Sequence, residues 1–163
     1  LERRGNRMRK RMTGVVLIVW MVVIFAFSAQ PAVQSAQTSR STAYQIAEWQ
    51  NNLLGRDKTK QELLGQAESM QLVVRKGAHM GEFAVLAILF FLHLSCYPIS
   101  RKHRALLAWG LTAAYAASDE LHQLFVPGRS GRFTDVCIDS LGGMAGIVFC
   151  LCVLWFCRKH EKV

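Results

Sequence analysis

Ten polar residues whose side chains could move protons or bind a ligand lie at the edges of apolar runs in this 163-residue chain. Lys76, His79 and Glu82 open one run. Asp119, Glu120, His122 and Gln123 close the next. Arg129 sits in the turn that follows, and Asp135 and Asp139 open the last run. A His–Glu pair and a second His beside several carboxylates could supply a general acid and a general base. The same side chains could hold a divalent metal, with His79 and His122 as nitrogen ligands and Glu82, Asp119 or Glu120 as oxygen ligands. No HExxH signature or related spacing accompanies them, so the metal alternative rests on residue type alone. Lys76, Gln123 and Arg129 are the candidates for binding a substrate. The turn Pro127-Gly128-Arg129-Ser130-Gly131-Arg132 combines glycine freedom with guanidinium groups that match a phosphate or carboxylate through two parallel hydrogen bonds. An interfacial arginine against ordinary lipid phosphates, or an Arg129–Asp135 pair, is the plainer alternative.

Helical spacing groups these side chains. At 100° per residue, Lys76, His79 and Glu82 fall within an arc of about 120°. Asp119, His122 and Gln123 are at i, i+3 and i+4 and share a face. Asp135, Asp139, Gly142 and Gly146 form a narrow stripe, and Gly142 and Gly146 make a small-xxx-small pair that lets another helix approach closely. The acids therefore continue the packing seam of their helix. Ala113, Ala114, Ala116 and Ala117 make the preceding helix thin just before its polar end.

The elements that must carry them are long and apolar. A spanning helix needs about 20 mostly apolar residues. Four runs qualify, at about 13–29, 78–97, 105–125 and 133–157. The expected fold is all-α: an integral membrane four-helix bundle, one domain over 1–163, with amphipathic helices in the outer connection (31–75) between helices one and two. In that connection Ile46, Trp49, Leu53 and Leu54 recur at helical spacing, as do Leu63, Leu64, Ala67, Met70 and Val74. Two short amphipathic helices lying on the membrane surface or capping the bundle account for this, with a break at Gly55 and Arg56-Asp57. A partly ordered polar loop is the alternative. The first run also has the basic start and small residues of a secretory signal peptide, so retention and cleavage both stand.

Charge sets the orientation. The chain has 20 Lys and Arg against 11 Asp and Glu. Twelve of the bases (Arg3, Arg4, Arg7, Arg9, Lys10, Arg11; Arg101, Lys102, Arg104; Arg158, Lys159, Lys162) fill the three shortest polar segments. The positive-inside rule then predicts a multi-pass protein of the cell membrane with both termini cytoplasmic. All three polar stretches fall at the outer end of their helices. Five of the 11 acids gather there, and charges inside spanning segments tend to face a bundle interior or a wet cavity. A nucleic-acid partner is not expected, since no zinc, RNP-like or helix-turn-helix pattern accompanies the basic charge. Cys96, Cys137, Cys150, Cys152 and Cys157 lie in or beside apolar segments and form no CxxC pair, which reads as small hydrophobes. His93 reads as a packed or hydrogen-bonded core residue, and His103 and His160 as cytoplasmic surface groups.

Three blocks resemble the VanZ-like family, membrane proteins named after a teicoplanin-resistance protein. They are Phe27-Ser28-Ala29-Gln30-Pro31, then Lys76-Gly77-Ala78-His79-Met80-Gly81-Glu82-Phe83, then Ser118-Asp119-Glu120-Leu121-His122-Gln123 with Pro127-Gly128-Arg129 and Asp135 through Asp139-Ser140-Leu141-Gly142-Gly143. The chain has Phe83 where the family often has Tyr, and Ser140 where it often has Asn. The resemblance implies a cell-envelope role with a link to glycopeptide susceptibility and does not supply a reaction.

Several functions fit these features. One is a membrane-embedded enzyme acting on an anionic lipid or lipid-linked cell-wall precursor. Another is a non-catalytic protein that binds such a headgroup, a lipoglycopeptide or a partner enzyme. A third is a small proton-coupled carrier, although no internal repeats support it. A salt-bridged network that merely fixes the helices is the fourth.

Overall fold

A computed structural model describes residues 2–160, with side chains described from Arg4 to Lys159. Lys162 and the side chains of Arg3 and His160 lie outside the described residues. Five helices follow one another: α1 (Glu2–Ser28), α2 (Ala32–Leu53), α3 (Lys60–Leu94), α4 (Arg101–Gln123) and α5 (Phe133–His160). There is no strand among the described residues.

The breaks between helices have local causes. α1 gives way at Gln30-Pro31, and Pro31 leads into α2 with φ −53 and ψ 150. The next amide, Ala32 N–H, donates to Pro127 O at 3.1 Å and ties the start of α2 to the α4–α5 turn. α2 ends in a Schellman motif. Gly55 adopts φ +57, its N–H donates to Asn52 O, and Arg56 N–H reaches back to Asn51 O at 3.0 Å. α3 then starts on a capping box: Thr59 accepts from Glu62 N–H, and the Glu62 carboxylate accepts from Thr59 N–H at 2.8 Å. Ser100 caps α4 through His103 N–H, and exposed His103 returns a ring nitrogen to the same hydroxyl at 2.7 Å.

The connection 31–75 is helical, as the periodicity predicts, but not as two short helices. α2 is 22 residues long, and its successor does not stop near Val74; it runs unbroken through Arg75-Lys76-Gly77 to Leu94. The 35 residues of α3 extend roughly 50 Å, well beyond the ~30 Å of a hydrocarbon core. Two cations and a glycine look like a boundary in the sequence. A single mid-helix glycine costs only about 1 kcal/mol, which a capped helix packed along its length tolerates. α2 packs back along the first half of α3 as an antiparallel hairpin, held in part by Gln71 Nε2 donating to Ala36 O at 3.1 Å. The apolar stripe of α2 is not its packed face. Trp49, Leu53 and Leu54 are exposed, while Ser35, Ser39, Ala43 and Ala47 are buried against α3. Small side chains win that face because they let the two backbones close up.

α3 is the hub, packing against each of the other four helices. α5 lies in the groove between α3 and α4. Its glycines are what admit it: a Cβ on Gly142 or Gly146 would run into the α3 backbone at Met80 or Ala84, and one on Gly143 would meet Thr112 of α4. The interior is built from Leu17, Ile24, Phe83, Leu86 and Ala116 toward one end and Ala87, Phe91, Ala108, Ile147 and Cys150 toward the other. Many large apolar side chains, such as Val15, Ile18, Leu111, Val148 and Phe149, face outward instead. α1, α3 and α5 are long and apolar enough to cross a membrane; α4, which carries more polar residues, is not among them by length and composition.

Candidate functional site

Two tethers fix the end of α1 where the polar residues gather. Trp20 Nε1 donates to the Glu82 carbonyl at 3.0 Å, and Tyr115 OH donates to the Met21 carbonyl at 2.7 Å. These hold α1 on α3 and α4 and bring Ser28, fully buried, over Asp119. Ser28 Oγ donates to Asp119 Oδ2 at 2.7 Å, and Gln123 Nε2, one turn further along α4, donates to the same oxygen at 2.9 Å. Asp119 Oδ1 is buried without a partner. Ser28 was not a sequence candidate, although a lone hydroxyl closing an uncharged run is a readable signal.

Glu120, also buried, turns to the α4–α5 connection and accepts from Arg132 N–H at 2.7 Å. Lys76 Nζ and Asp135 Oδ1 form an ion pair at 2.8 Å between α3 and α5. The alternative in which Arg129 neutralises Asp135 is therefore not realised. Arg129 instead donates from Nε to Gln30 O at 3.0 Å and from a terminal nitrogen to Phe27 O at 3.5 Å, clamping the frayed end of α1. Partial burial lowers the Arg129 guanidinium from its ordinary value and neighbouring Arg75 adds to this, while Asp119, Glu120 and Glu82 oppose it. Asp139 is buried on the α5 seam, as its register with Gly142 and Gly146 predicts.

His79 and Glu82 approach without joining. Nδ1 and Oε2 are 3.8 Å apart, too far for a direct hydrogen bond, and both atoms are buried with no other partner. His122 departs from the expected grouping. Its ring stacks on Phe25 of α1 with centroids 4.3 Å apart, and its Nε2 has no partner. Sharing a helix face with Asp119 brings it to α1 rather than into the polar group. With His122 turned away, the proposed His/carboxylate metal set does not assemble, and no three His, Cys, Asp or Glu side chains among the described residues gather closely enough to hold a metal. His93 lies at the opposite end of α3, bonded to Thr13 Oγ1 at 3.0 Å, as a core histidine.

Two cavities flank the polar group. One, of about 180 Å³, is lined by Arg75, Lys76, His79, Glu120, Gln123, Arg129, Arg132, Asp135 and Asp139 along with Ala32, Gly128, Ser130 and Ile138. Seven of the ten sequence candidates besides Glu82, Asp119 and His122 meet there. Arg132 of the anion-matching turn joins them, and so does Arg75, which the sequence shows only as part of a connection. The second, of about 130 Å³, lies on the α2 side and includes Glu82; Arg75, His79 and Arg129 border both. The arrangement offers four cations beside three carboxylates, with an unpartnered imidazole nitrogen between the two spaces.

An all-helical chain with three membrane-length apolar helices and polar groups collected at one helix end defines a class of membrane-protein-like bundle. Within that class, the VanZ/LLP1 family profile matches residues 13–156, and the chain belongs to that family. No curated protein and no solved structure gives a significant match.

Proposed function

We propose that this VanZ/LLP1-family protein is a multi-pass membrane protein whose polar end binds an anionic lipid headgroup or a lipid-linked cell-envelope precursor. The observation that carries this is the 180 Å³ cavity, where Arg75, Lys76, Arg129 and Arg132 meet at the end of apolar helices. Four cations face three carboxylates there and Lys76 is already paired with Asp135, which leaves the guanidinium groups of Arg75, Arg129 and Arg132 to meet a phosphate with two parallel donors. In this reading α1, the C-terminal part of α3, α4 and α5 cross the bilayer as a four-helix bundle. α4 qualifies by its neighbours: α5 and α3 cover its polar face, and Leu107, Leu111 and Leu121 face out. The flanking bases put both termini in the cytoplasm and the cavity outside. In this reading α1 is retained in the mature protein, which is supported by the part that Trp20, Phe27 O and Ser28 take in the site's framework.

The polar residues divide into two duties. Ser28, Asp119 and Gln123 tie helices together. His79 and Glu82, with unpartnered atoms beside the cavities, are the pair that could serve proton transfer on a bound headgroup. A link to teicoplanin susceptibility follows if the bound molecule is an envelope precursor. The test is the lipid that co-purifies with the protein from its native membrane: enrichment of anionic or lipid-linked species over the bulk membrane supports the reading, and bulk composition removes it.

A further inference from the structure

The second cavity has a different chemistry from the first. One of its walls is α2, where buried Ser35 and Ser39 face α3 and exposed Thr38 and Thr42 line the edge. Three of these hydroxyl protons are already committed: Thr38 donates to Gln34 O at 3.1 Å, Ser39 to Ser35 O at 2.9 Å and Thr42 to Thr38 O at 3.0 Å. A hydroxyl has one proton but two acceptor lone pairs. What these side chains still offer is oxygen that accepts. Glu82 Oε2, buried and unpartnered on the facing wall, accepts as well. The three bonded hydroxyls of the α2 wall and Glu82 therefore favour a group that donates, while Arg75 and Arg129 supply donors of their own at the border of the space. An ammonium would meet that need, but Arg75 and Arg129 border the space and like charge disfavours it. Uncharged O–H donors fit both conditions.

Arg75, His79 and Arg129 border both cavities, so the two spaces are neighbours across these three side chains. Resting on the headgroup reading above, we infer that the ligand is a phosphate ester carrying vicinal hydroxyls. Its phosphate lies in the cationic cavity and its polyol lies against the α2 hydroxyls. The α2–α3 hairpin is then a specificity element. The polyol phosphate is either a lipid headgroup or a free sugar or glycerol phosphate.

The experiment is a titration of the full chain in detergent with short-chain phosphatidylglycerol and phosphatidic acid, and in parallel with glycerol phosphate and inorganic phosphate. Wild type is compared with Thr38→Val/Thr42→Val and, as a gentler second variant, Ser39→Ala. The polyol compound of a pair is expected to bind at least about 5-fold tighter than its hydroxyl-free counterpart, the value of one or two hydrogen bonds. That gap closes in the variants while the counterpart's affinity holds, which also shows that the variants are folded. A gap seen only with the lipids assigns a headgroup, and one seen only with the soluble pair assigns a free polyol phosphate. Equal binding within both pairs, or a gap that survives in both variants, overturns the polyol inference alone. Binding of none of the four overturns the anionic-ligand reading beneath it, and this inference with it.

Discussion

Ser28 Oγ and Asp119 Oδ2 lie 2.7 Å apart in the buried interior, so the last residue of α1 is bonded to an acid near the end of α4. The two are 91 positions apart in the chain. Both are buried polar groups; Asp119 accepts from Ser28 and from Gln123, and these bonds offset its desolvation. Replacing Ser28 with Ala leaves one fewer donor on a buried carboxylate. The expected cost is about 1–2 kcal/mol, read as a lower midpoint in thermal unfolding of the purified protein. An unchanged midpoint would show that Asp119 finds water or another donor there.

The α5 glycines predict a contrast within one residue type. Gly142→Ala and Gly146→Ala each drive a methyl into α3 backbone, which cannot move as a side-chain tip can, and should each lose about 1–3 kcal/mol or the folded yield. Gly110→Ala on α4 meets nothing within 4 Å and should be neutral or slightly stabilising. Equal behaviour of the three variants by size-exclusion profile and unfolding midpoint would contradict the close approach of α5 to α3.

Lys76 and Asp135 are about one-third exposed, so their pair should add little to stability. A double-mutant cycle with Lys76→Gln and Asp135→Asn is expected to give a coupling of about 0.5 kcal/mol or less at 0.15 M salt, shrinking as salt is added. A coupling of several kcal/mol would move this pair from the ligand-facing group to the structural one.

The α2–α3 turn makes a fourth case. Gly55 holds φ +57 and Thr59 with Glu62 closes the capping box. Thr59→Ala should cost about 1 kcal/mol and speed amide exchange in the first turns of α3 while leaving Phe83 to Leu94 protected. Uniform acceleration along all of α3 would mean that its two halves unfold together.

The sequence exposes some of this architecture and hides the rest for physical reasons. The glycine–aspartate stripe of α5 is legible because a 3.6-residue period survives any packing, and Asp139, Gly142 and Gly146 do share a buried face. The Thr59-x-x-Glu62 box is equally legible and marks the true start of α3, yet apolar content alone places that helix 18 residues too late, at 78. The packed face of α2 is hidden because apolarity points to Trp49, Leu53 and Leu54, whereas close packing selected Ser39, Ala43 and Ala47. His122 is hidden because an i, i+3 relation to Asp119 fixes a face but not a partner, and the partner is Phe25. Arg75 is hidden because only the assembled fold brings it to the cavity that the 127–132 turn also lines.

The central claim is that four cations at the polar end form an anion-binding cavity. Arg75 and Arg132 are the ones to remove, since Arg129 also clamps α1 and Lys76 also pairs with Asp135. The most direct measurement is the affinity of the purified full chain for an anionic and a zwitterionic lipid of equal chain length, in wild type and in Arg75→Gln/Arg132→Gln. Wild type should prefer the anionic lipid by at least about 10-fold at moderate salt, and the variant should lose most of that preference with its unfolding midpoint intact. Equal affinity of wild type for both lipids, or a preference undiminished in a folded variant, would contradict the account.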